Sequence, residues 1–472
     1  MTNYEKVEEF YKNYFNVFEK LENELFRSFC IPKNISKDTI KRKLQYVDCN
    51  NSKNSMKSII VWLFIYIPII TAILFLSLFT KRPKNIKSDI LYEEWCGVGE
   101  HFKDYYHLVY KRFSNLDQMI FATTNIYKES FKEHISVSNR VIKYKFIPSI
   151  AYKIFISGFC IYFKLAYFSI VYKFNFMNLY LRVLSSVAKY ESESSGLQAK
   201  FLISGNDNGY DAMRYHIYKK NGIKNIIGLQ NGLRLSSIPL SNGAYTYFDY
   251  FFAFGGGQVN LLYGLNARHI INCGKFPLYY KIKELYNTQK EYDVVLLECF
   301  ADDILDGYSQ KSYKNLLLNY IRFAKEHKNL KLAYRVRTKG ELGSLDYYTP
   351  IDNMLKDSDI VFDSDLSKDS YEAIAKSSCV VAYYTTMVYE SFGMDKKTLI
   401  CNYDRFDFFP VTDSAIVTLN ESYEEFKEKL LYLINAKYDD VKIYNEKIKF
   451  KFMNISSDPV EILADIIRRE CA

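Results

Sequence analysis

The sequence predicts an α/β fold with two Rossmann-like domains, preceded by an N-terminal helical region that associates with a membrane. From residue 199 onward, short apolar strands alternate with helices, and several strands end in glycine or polar turns. Such alternation is typical of parallel sheets, which bind ligands at the carboxyl ends of their strands. The polar stretch 281–291 divides these units into two series, and an uncharged run at 58–80 indicates contact with a membrane.

Four segments follow from these features. Residues 1–57 are expected to form helices at a membrane surface, 58–80 the membrane segment, 81–280 the first domain with an interfacial helix, and 281–472 the second domain. Helical patterning dominates as far as about residue 196, apart from a strand expected at 118–123. The other predicted strands are 199–207, 224–230, 247–257, 269–276, 293–300, 331–338, 359–365, 377–386 and 397–403.

The segment Ser58–Thr80 has 23 residues without a charge, enough to cross a bilayer as a helix. Basic residues on both sides favour the cytoplasm for both ends. Two topologies remain open: a re-entrant hairpin with Pro68 near its apex, or one crossing with a return through Phe146–Tyr172. Lys153 and Lys164 share one helical face of this second segment, which favours a helix lying in the interface. A buried helix of the following domain is the alternative.

Composition narrows the chemistry. Nine scattered cysteines without a CxxC pair indicate a reducing compartment and argue against disulfides or a zinc site. Six dispersed histidines and the lack of a metal-ligand motif predict no essential metal. The net charge of +9 is diluted over 472 residues and requires no nucleic-acid partner. Aromatic residues make up 17% of the chain and concentrate at 104–184 and 245–254, near the membrane segment.

The stretch 377–403 carries the most specific pattern. A buried strand leads to Thr385 and Thr386 at a helix start, where hydroxyls can cap amides that face an anion. Glu390 lies one turn further on, and Gly393 ends the helix before two lysines. This order resembles the donor-binding signature of GT-B glycosyltransferases, with Gly-Met-Asp-Lys-Lys in place of their Gly-Lys-Pro turn. The resemblance implies that the two threonines and the glutamate bind the nucleotide and phosphates of a donor.

A second pattern, in the first domain, covers residues 206–234. It resembles the acceptor-side core of bacterial surface-polysaccharide transferases, a group that includes capsule, lipopolysaccharide and CDP-glycerol enzymes, and the resemblance extends over residues 199–405. The residues that it assigns to the acceptor side are Asn206, Asp207, Asp211, Gln230, Asn231 and Gly232.

The identity of the general base is left open by this pattern. In the related transferases a histidine usually stands where this chain has Asn231, and an amide cannot take a proton at neutral pH. The candidate bases are Asp207 and Asp211, or Asp302 and Asp303 after the first strand of the second domain. Each of them could also be an ordinary turn or cap residue.

Three cations alternate along the predicted strand 331–338 and beyond it. Arg335, Arg337 and Lys339 would share one face of an extended strand. Cations inside an α/β domain need anions, so donor phosphates are the functional interpretation and an exposed edge strand is the alternative. The related transferases commonly carry a His-Pro motif here, which this chain lacks, so the resemblance does not assign a CMP-type donor.

The resemblance implies a metal-independent glycosyltransferase without a cofactor, at the cytoplasmic face of the plasma membrane. It would move a sugar or a polyol phosphate from a nucleotide-activated donor, bound in the second domain, to a lipid-linked or growing surface glycan at the first. Two other functions remain open. A nucleotide-sugar epimerase shares the architecture, and a non-catalytic scaffold or glycan-binding protein would account for Asn231 and the missing His-Pro.

Overall fold

The computed structural model contains two α/β domains and an N-terminal group of helices. It describes residues 3–25, 29, 31–44, 56–78, 85–94, 105–122, 136–139, 147–232, 244–259, 264–299, 310–336, 349–356, 358–365, 369–383, 385–405 and 415–471. The strands in these ranges are β1 Ile86–Glu94, β2 Gln118–Ala122, β3 Ser136–Asn139, β4 Leu197–Ser204, β5 Ile223–Leu229, β6 Tyr247–Ala253, β7 Asn266–Asn272, β8 Tyr292–Leu297, β9 Leu332–Arg335, β10 Val361–Asp363, β11 Ser377–Ala382, β12 Lys397–Cys401 and β13 Val417–Thr418.

Helices cover both sheets and form the N-terminal group. In the same ranges they are α1 Asn3–Asn13, α2 Phe15–Leu25, α3 Lys33–Leu44, α4 Met56–Ser77, α5 His107–Tyr110, α6 Pro148–Val171, α7 Phe176–Ser194, α8 Ala212–Lys220, α9 Gly256–Val259, α10 Phe276–Glu284, α11 Gln310–Glu326, α12 Thr349–Leu355, α13 Ser370–Ala375, α14 Met387–Gly393, α15 Tyr423–Asn435, α16 Tyr438–Phe452 and α17 Pro459–Cys471.

Within the described residues, the strands form one sheet of seven and one of six, and every pair is parallel. The orders are β3-β2-β1-β4-β5-β6-β7 and β10-β9-β8-β11-β12-β13. In each sheet the direction of strand addition reverses next to the first strand. This reversal creates a topological switch point, at β1/β4 in the first domain and at β8/β11 in the second. The predicted class, two Rossmann-like domains of the GT-B type, is confirmed.

Each strand predicted from the sequence overlaps an observed one, but the central strand β1 and the edge strands β3 and β13 were not predicted. The expectation of mainly helical structure as far as residue 196 is wrong at β1 and β3. The sequence of β1, IKSDILYEE, has little strand propensity, and its Glu93 is fully buried. Ser204 donates a hydrogen bond to Glu93, and Arg214 forms an ion pair with it, both at 2.5 Å. Because these partners come more than 100 residues later, no local pattern marks the strand.

The two ends of the chain join the first domain. Phe18 of α2 and Ile40 of α3 lie in one core cluster with residues of α7 and α8, so the N-terminal helices pack into the domain. At the other end, Leu463 and Ile467 of α17 pack in a cluster with Tyr92 of β1. The predicted boundary of 281–472 for the second domain is therefore corrected, since the last helix returns to the first.

The helices α4 and α6 form an antiparallel pair. Gly158 faces Tyr66 and Ile70, and the Tyr162 hydroxyl donates to the Leu63 carbonyl at 2.7 Å. The α4 helix continues through Pro68, so the structure has no turn there, contrary to the hairpin topology. Both helices are long and apolar enough to cross a membrane, with only 22% and 33% of their most apolar windows buried. The α6 helix is therefore not the buried helix considered as an alternative.

A glycine-rich turn after β6 packs against α16 at the contact between the two domains. A Cβ at Gly255 would lie 2.3 Å from the Lys451 carbonyl oxygen, and one at Gly257 would lie 2.8 Å from the Phe452 ring. Next to this contact, the Asn454 amide donates to the Phe254 carbonyl at 2.7 Å. The glycines therefore allow α16 to approach the first domain closely, and they do not form a phosphate loop.

The buried Lys396 shares its acceptors with the exposed Lys290. Lys290 and Lys396 each donate to the carbonyl oxygens of Ala375 and Ser377, at 2.8–3.0 Å. Burial, with a further contribution from Lys290, lowers the pKa of Lys396 to about 6. A depressed lysine pKa means that the unfolded chain binds more protons than the folded one between about pH 6 and the ordinary lysine value.

We expect this lysine to make the stability of the protein rise with pH. Between pH 7 and 9 the slope from one such group approaches about 1.4 kcal/mol per pH unit. Lys396→Met removes the group, so the variant should unfold at a higher urea concentration than the wild type at pH 7, with a smaller advantage at pH 9. Urea unfolding followed by fluorescence at both values tests this. An advantage that does not change with pH would contradict it.

Candidate active site between the two domains

The predicted site residues follow strands at the two switch points. Asn206 and Asp207 come directly after β4, and Thr385 and Thr386 come just after β11. Open α/β sheets bind ligands in the crevice outside such a point, because the neighbouring loops diverge there. The sequence therefore placed its acceptor-side and donor-side candidates at corresponding positions of the two sheets.

On the first domain, two loops meet through polar contacts. The backbone amide of Asn231 donates to Asp207 Oδ2 at 3.3 Å, and the Tyr105 hydroxyl donates to the side-chain Oδ1 of Asn231 at 3.1 Å. Gln230 is buried: its Oε1 accepts from the Phe254 amide at 2.8 Å, and its Nε2 donates to the Gly232 carbonyl at 3.1 Å. These bonds fix the ends of β4, β5 and β6 relative to one another, with Asp207 and Asn231 adjacent.

Asp211 has a different environment from Asp207. Its side chain caps α8 by accepting from the Arg214 amide at 2.8 Å, and it also accepts from the Tyr190 hydroxyl at 2.9 Å. Burial by itself raises its pKa, but Lys43, 3.6 Å away, and Arg42 outweigh burial and lower the pKa below its ordinary value. A capped carboxylate with a lowered pKa is a poor proton acceptor, so the geometry favours Asp207 over Asp211 as a base.

On the second domain, the threonines lie at the start of α14. Thr385 Oγ1 accepts from the Met387 amide at 3.4 Å, whereas the Thr386 side chain makes no capping hydrogen bond. Both residues are partly exposed. Thr386 therefore remains available for a ligand at this switch point, and Thr385 stabilises the turn that presents it.

Glu390 is fully buried and forms an ion pair across the domains. Its Oε1 lies 2.9 Å from Lys275 Nζ of the first domain, and its Oε2 accepts a hydrogen bond from the Tyr371 hydroxyl. Burial by itself lowers the pKa of Lys275, but Glu390 and Tyr371 more than compensate and raise it above its ordinary value. Burial, followed by the charge of Glu390, raises the pKa of Tyr371 well above its ordinary value. At neutral pH Lys275 is therefore charged and the Tyr371 phenol is neutral.

Arg335 has a carboxylate partner in the structure. It is buried at the end of β9 and pairs with Asp363, its neighbour in register on β10, at 2.8 Å. The argument that this cation needs a ligand phosphate therefore does not hold for Arg335. Arg337 and Lys339, like Asp302 and Asp303, lie outside the described residues, and their roles stay predictions.

Lys275, Tyr371 and Tyr105 were missed by sequence reasoning. Lys275 directly follows Gly274, whose φ of +73° makes the sharp turn after β7. That turn was the one local signal at this position, and by itself it does not identify Lys275 as a partner of Glu390. Neither tyrosine stands out in a chain with 43 of them.

Among the described residues, no group of three or more His, Cys, Asp or Glu side chains could hold a metal ion. Metal independence stays a prediction.

Comparisons with known proteins find similarity only to solved structures, and only at low sequence identity. No protein-family model matches the chain, and no curated protein matches it. Among solved structures, it is similar to a variant of the wall teichoic acid polymerase TagF, with 13% identity, a TM-score of 0.47, and coverage of 87% of this chain and 97% of that one. It is also similar to the UDP-GlcNAc 2-epimerases of Methanocaldococcus jannaschii and Neisseria meningitidis, at 11% and 12% identity. Both have TM-scores of 0.45 and cover 81% of this chain and 100% of theirs. Likeness at this level says nothing about the site residues or the reaction.

We expect the ion pair between the domains to matter strongly for stability. Lys275→Met would leave a buried carboxylate without its cation, which typically costs about 3–5 kcal/mol. The double variant Lys275→Met/Glu390→Gln should recover much of this loss, because no uncompensated charge remains. Urea unfolding of the two single variants and the double variant measures the coupling between the residues.

A matched control is the partly exposed ion pair Lys281–Asp369, which joins α10 to the start of α13 at 3.0 Å. Lys281→Met should cost no more than about 1 kcal/mol. Equal losses from the Lys275 and Lys281 substitutions would show that burial of the first pair has no energetic consequence.

Proposed function

We propose that this protein is a membrane-associated, metal-independent glycosyltransferase of the GT-B type. It would transfer a sugar or a polyol phosphate from a nucleotide-activated donor to a lipid-linked or growing surface glycan, at the cytoplasmic face of the plasma membrane. The observation that supports this most is a contact between the carboxyl-terminal edges of the two sheets. Lys275, beyond β7, contacts Glu390, beyond β11, so the carboxyl edges of the two sheets face each other across one cleft.

The two edges suit different substrates. On the donor side, Thr386 is available at the switch point, and Arg337 and Lys339 would supply charge for phosphates. On the acceptor side, Asp207 and Asn231 could orient a hydroxyl and remove its proton. Glu390 is committed to Lys275, so its contribution is to hold the domains at the spacing that the reaction needs. Rate enhancement would come mainly from positioning and from neutralising charge on the leaving phosphate.

This function predicts a nucleotide-dependent rise in thermal stability. A panel of CMP, CDP, UDP and GDP should contain one nucleotide that raises the unfolding temperature, because a ligand at about 100 times its Kd contributes about 2.7 kcal/mol. Arg337→Ala should abolish the rise. Asp207→Asn should preserve it but lower glycan extension by about 100-fold or more, as expected for the loss of a general base. Asp439→Asn, on the exposed surface of α16, is the control and should change neither.

The other functions give different results in the same experiments. If no nucleotide shifts the unfolding temperature, the protein is a scaffold or a glycan-binding protein. If a nucleotide-sugar is turned over without any acceptor, it is an epimerase. Normal extension by Asp207→Asn would remove this residue from the mechanism and leave the rest of the proposal in place.

Membrane association is supported by the outer face of the α4–α6 pair. Phe64 and Phe163 are 75% and 71% exposed, and apolar residues surround them on both helices. An exposed apolar surface of this extent is typical of a membrane-binding site. The other large apolar residues exposed there are Ile60, Val61, Phe75, Leu76, Tyr152, Ile156, Phe159, Tyr167, Ile170 and Val171.

Cys160 provides a test at this face. Of the described cysteines it is the exposed one, and it lies on α6 beside Phe159, whereas Cys471 is partly exposed at the end of α17. Lipid vesicles should protect Cys160 from a charged maleimide and leave Cys471 reactive. Mass spectrometry of the labelled peptides reads both sites in one sample. Unchanged labelling of Cys160 by vesicle-bound protein would exclude this face from the membrane.

A further inference from the structure

A basic cavity lies beside the candidate active site, between the N-terminal helices and the loop after β4. Its volume is about 640 Å³. The α3, α4 and α7 helices form its walls, and the β4–α8 loop closes one side. Five of its lining side chains are cationic, and among the described lining residues Asp211 is the one carboxylate. The cations are Arg42, Lys43, Arg182, Lys189 and Arg214.

Several of these charges are incompletely compensated within the described part of the chain. Arg42 is buried and donates to two backbone carbonyls, those of Ala244 and Asn208, and not to a carboxylate. Arg182 donates to the Asn178 side chain at 3.2 Å. Lys43 lies 3.6 Å from Asp211, Lys189 lies 3.8 Å from Glu193, and Arg214 pairs with Glu93 and Glu193. The cations without a carboxylate partner among the described residues are therefore Arg42 and Arg182. A cavity with this excess of cations favours an anionic occupant.

Two buried polar atoms of the lining residues also lack hydrogen-bond partners among the described residues. They are Nε of Arg214, a side chain that is only 4% exposed, and Oδ1 of Asn208. Arg214 donates to Glu93 and Tyr218 through its Nη2, so its Nε is a remaining donor. Guanidinium donors match phosphate oxygens in geometry as well as in charge.

The same cavity adjoins the apolar helix pair. Trp62 of α4 lines it, and the neighbouring Val61 and Phe64 are 54% and 75% exposed on the outer face. Tryptophan is enriched where the polar and apolar parts of a membrane meet. An occupant with a charged head and an apolar chain could therefore place its head in the cavity and its chain along α4.

The cavity also reaches the acceptor side of the candidate active site. Asn206 lines the cavity, and the next residue, Asp207, accepts from Asn231 in the cleft. A group held in the cavity would lie next to the loop that carries the candidate base.

We propose that this cavity binds the phosphate or diphosphate head of a lipid-linked acceptor, with the lipid chain along α4 and α6. The inference rests on the proposed function, because it assigns a binding site to the lipid-linked acceptor of that function. Two other sources share the phosphate chemistry, namely bulk anionic phospholipid and a free phosphate compound, and the experiment separates them.

The test uses the full chain and measures co-sedimentation with phosphatidylcholine vesicles. One set contains a long-chain monoalkyl phosphate, and a second contains phosphatidylglycerol at equal total charge. A third repeats the first with inorganic phosphate as competitor. The variant is Arg182→Gln/Lys189→Gln, because both side chains lie on the exposed side of α7. The control, Lys325→Gln/Lys328→Gln, removes the same charge from exposed positions of the second domain.

The variant should bind monoalkyl-phosphate vesicles about 20-fold more weakly than the wild type, since each cation near an anionic head contributes about fivefold. Its binding to phosphatidylglycerol should change much less, and the control should match the wild type. Equal weakening on both kinds of vesicle would overturn the proposal in favour of a general basic surface. Full competition by inorganic phosphate would overturn it in favour of a free phosphate compound.

This readout requires no donor and no turnover. A protein that binds the alkyl phosphate as expected but shows no nucleotide-dependent stabilisation would retain the lipid site and lose the transferase function. The reverse result would retain the transferase and lose the lipid site.

Discussion

The candidate site depends on the buried ion pair between Lys275 and Glu390. The two side chains come from different domains. Withdrawing both charges from water is costly unless they meet with good geometry. Tyr371 contributes a hydrogen bond to the carboxylate, so the cluster is satisfied only when the two domains are in contact. The pair therefore fixes the distance between the two carboxyl edges, and any ligand that bridges the cleft is bound at that spacing.

The strands and the switch points could be predicted because their signals are local. Apolar runs such as those of β4 and β11 end in Gly, Asn or Thr within a few residues, and the alternation with helices indicates a parallel sheet. The strand β1 could not be found in this way, because Glu93 is acceptable in a core only after Arg214 has been brought to it. Lys275 and Glu390, 115 residues apart, form a pair that is likewise visible only in three dimensions.

The two aspartates after β4 show how far the sequence could assign roles. Asp207 and Asp211 are the same residue type, four positions apart, and both were candidate bases. Their surroundings differ: Asp211 is a helix cap between Tyr190 and Lys43, whereas Asp207 accepts a hydrogen bond from the backbone amide of Asn231. Lys43 lies on α3, a helix expected at a membrane surface and found packed in the first domain. The position of the N-terminal helices therefore lowers the pKa of Asp211 and makes Asp207 the better candidate base.

Helices also link the exposed apolar surface of α4 and α6 to the candidate site. The α4 and α6 helices bury one side against the first domain and expose the other. A lipid chain bound to the exposed side would therefore be separated from the domain core by this helix pair alone. Cations from α3 and α7 surround the space between that pair and the loop that carries Asp207. The net charge of +9, uninformative as a total, thus includes a group of cations placed where a phosphate-bearing lipid would need them. If the apolar face of α4 and α6 lies on a bilayer, a lipid-linked substrate can reach the cleft while its lipid chain stays in the bilayer.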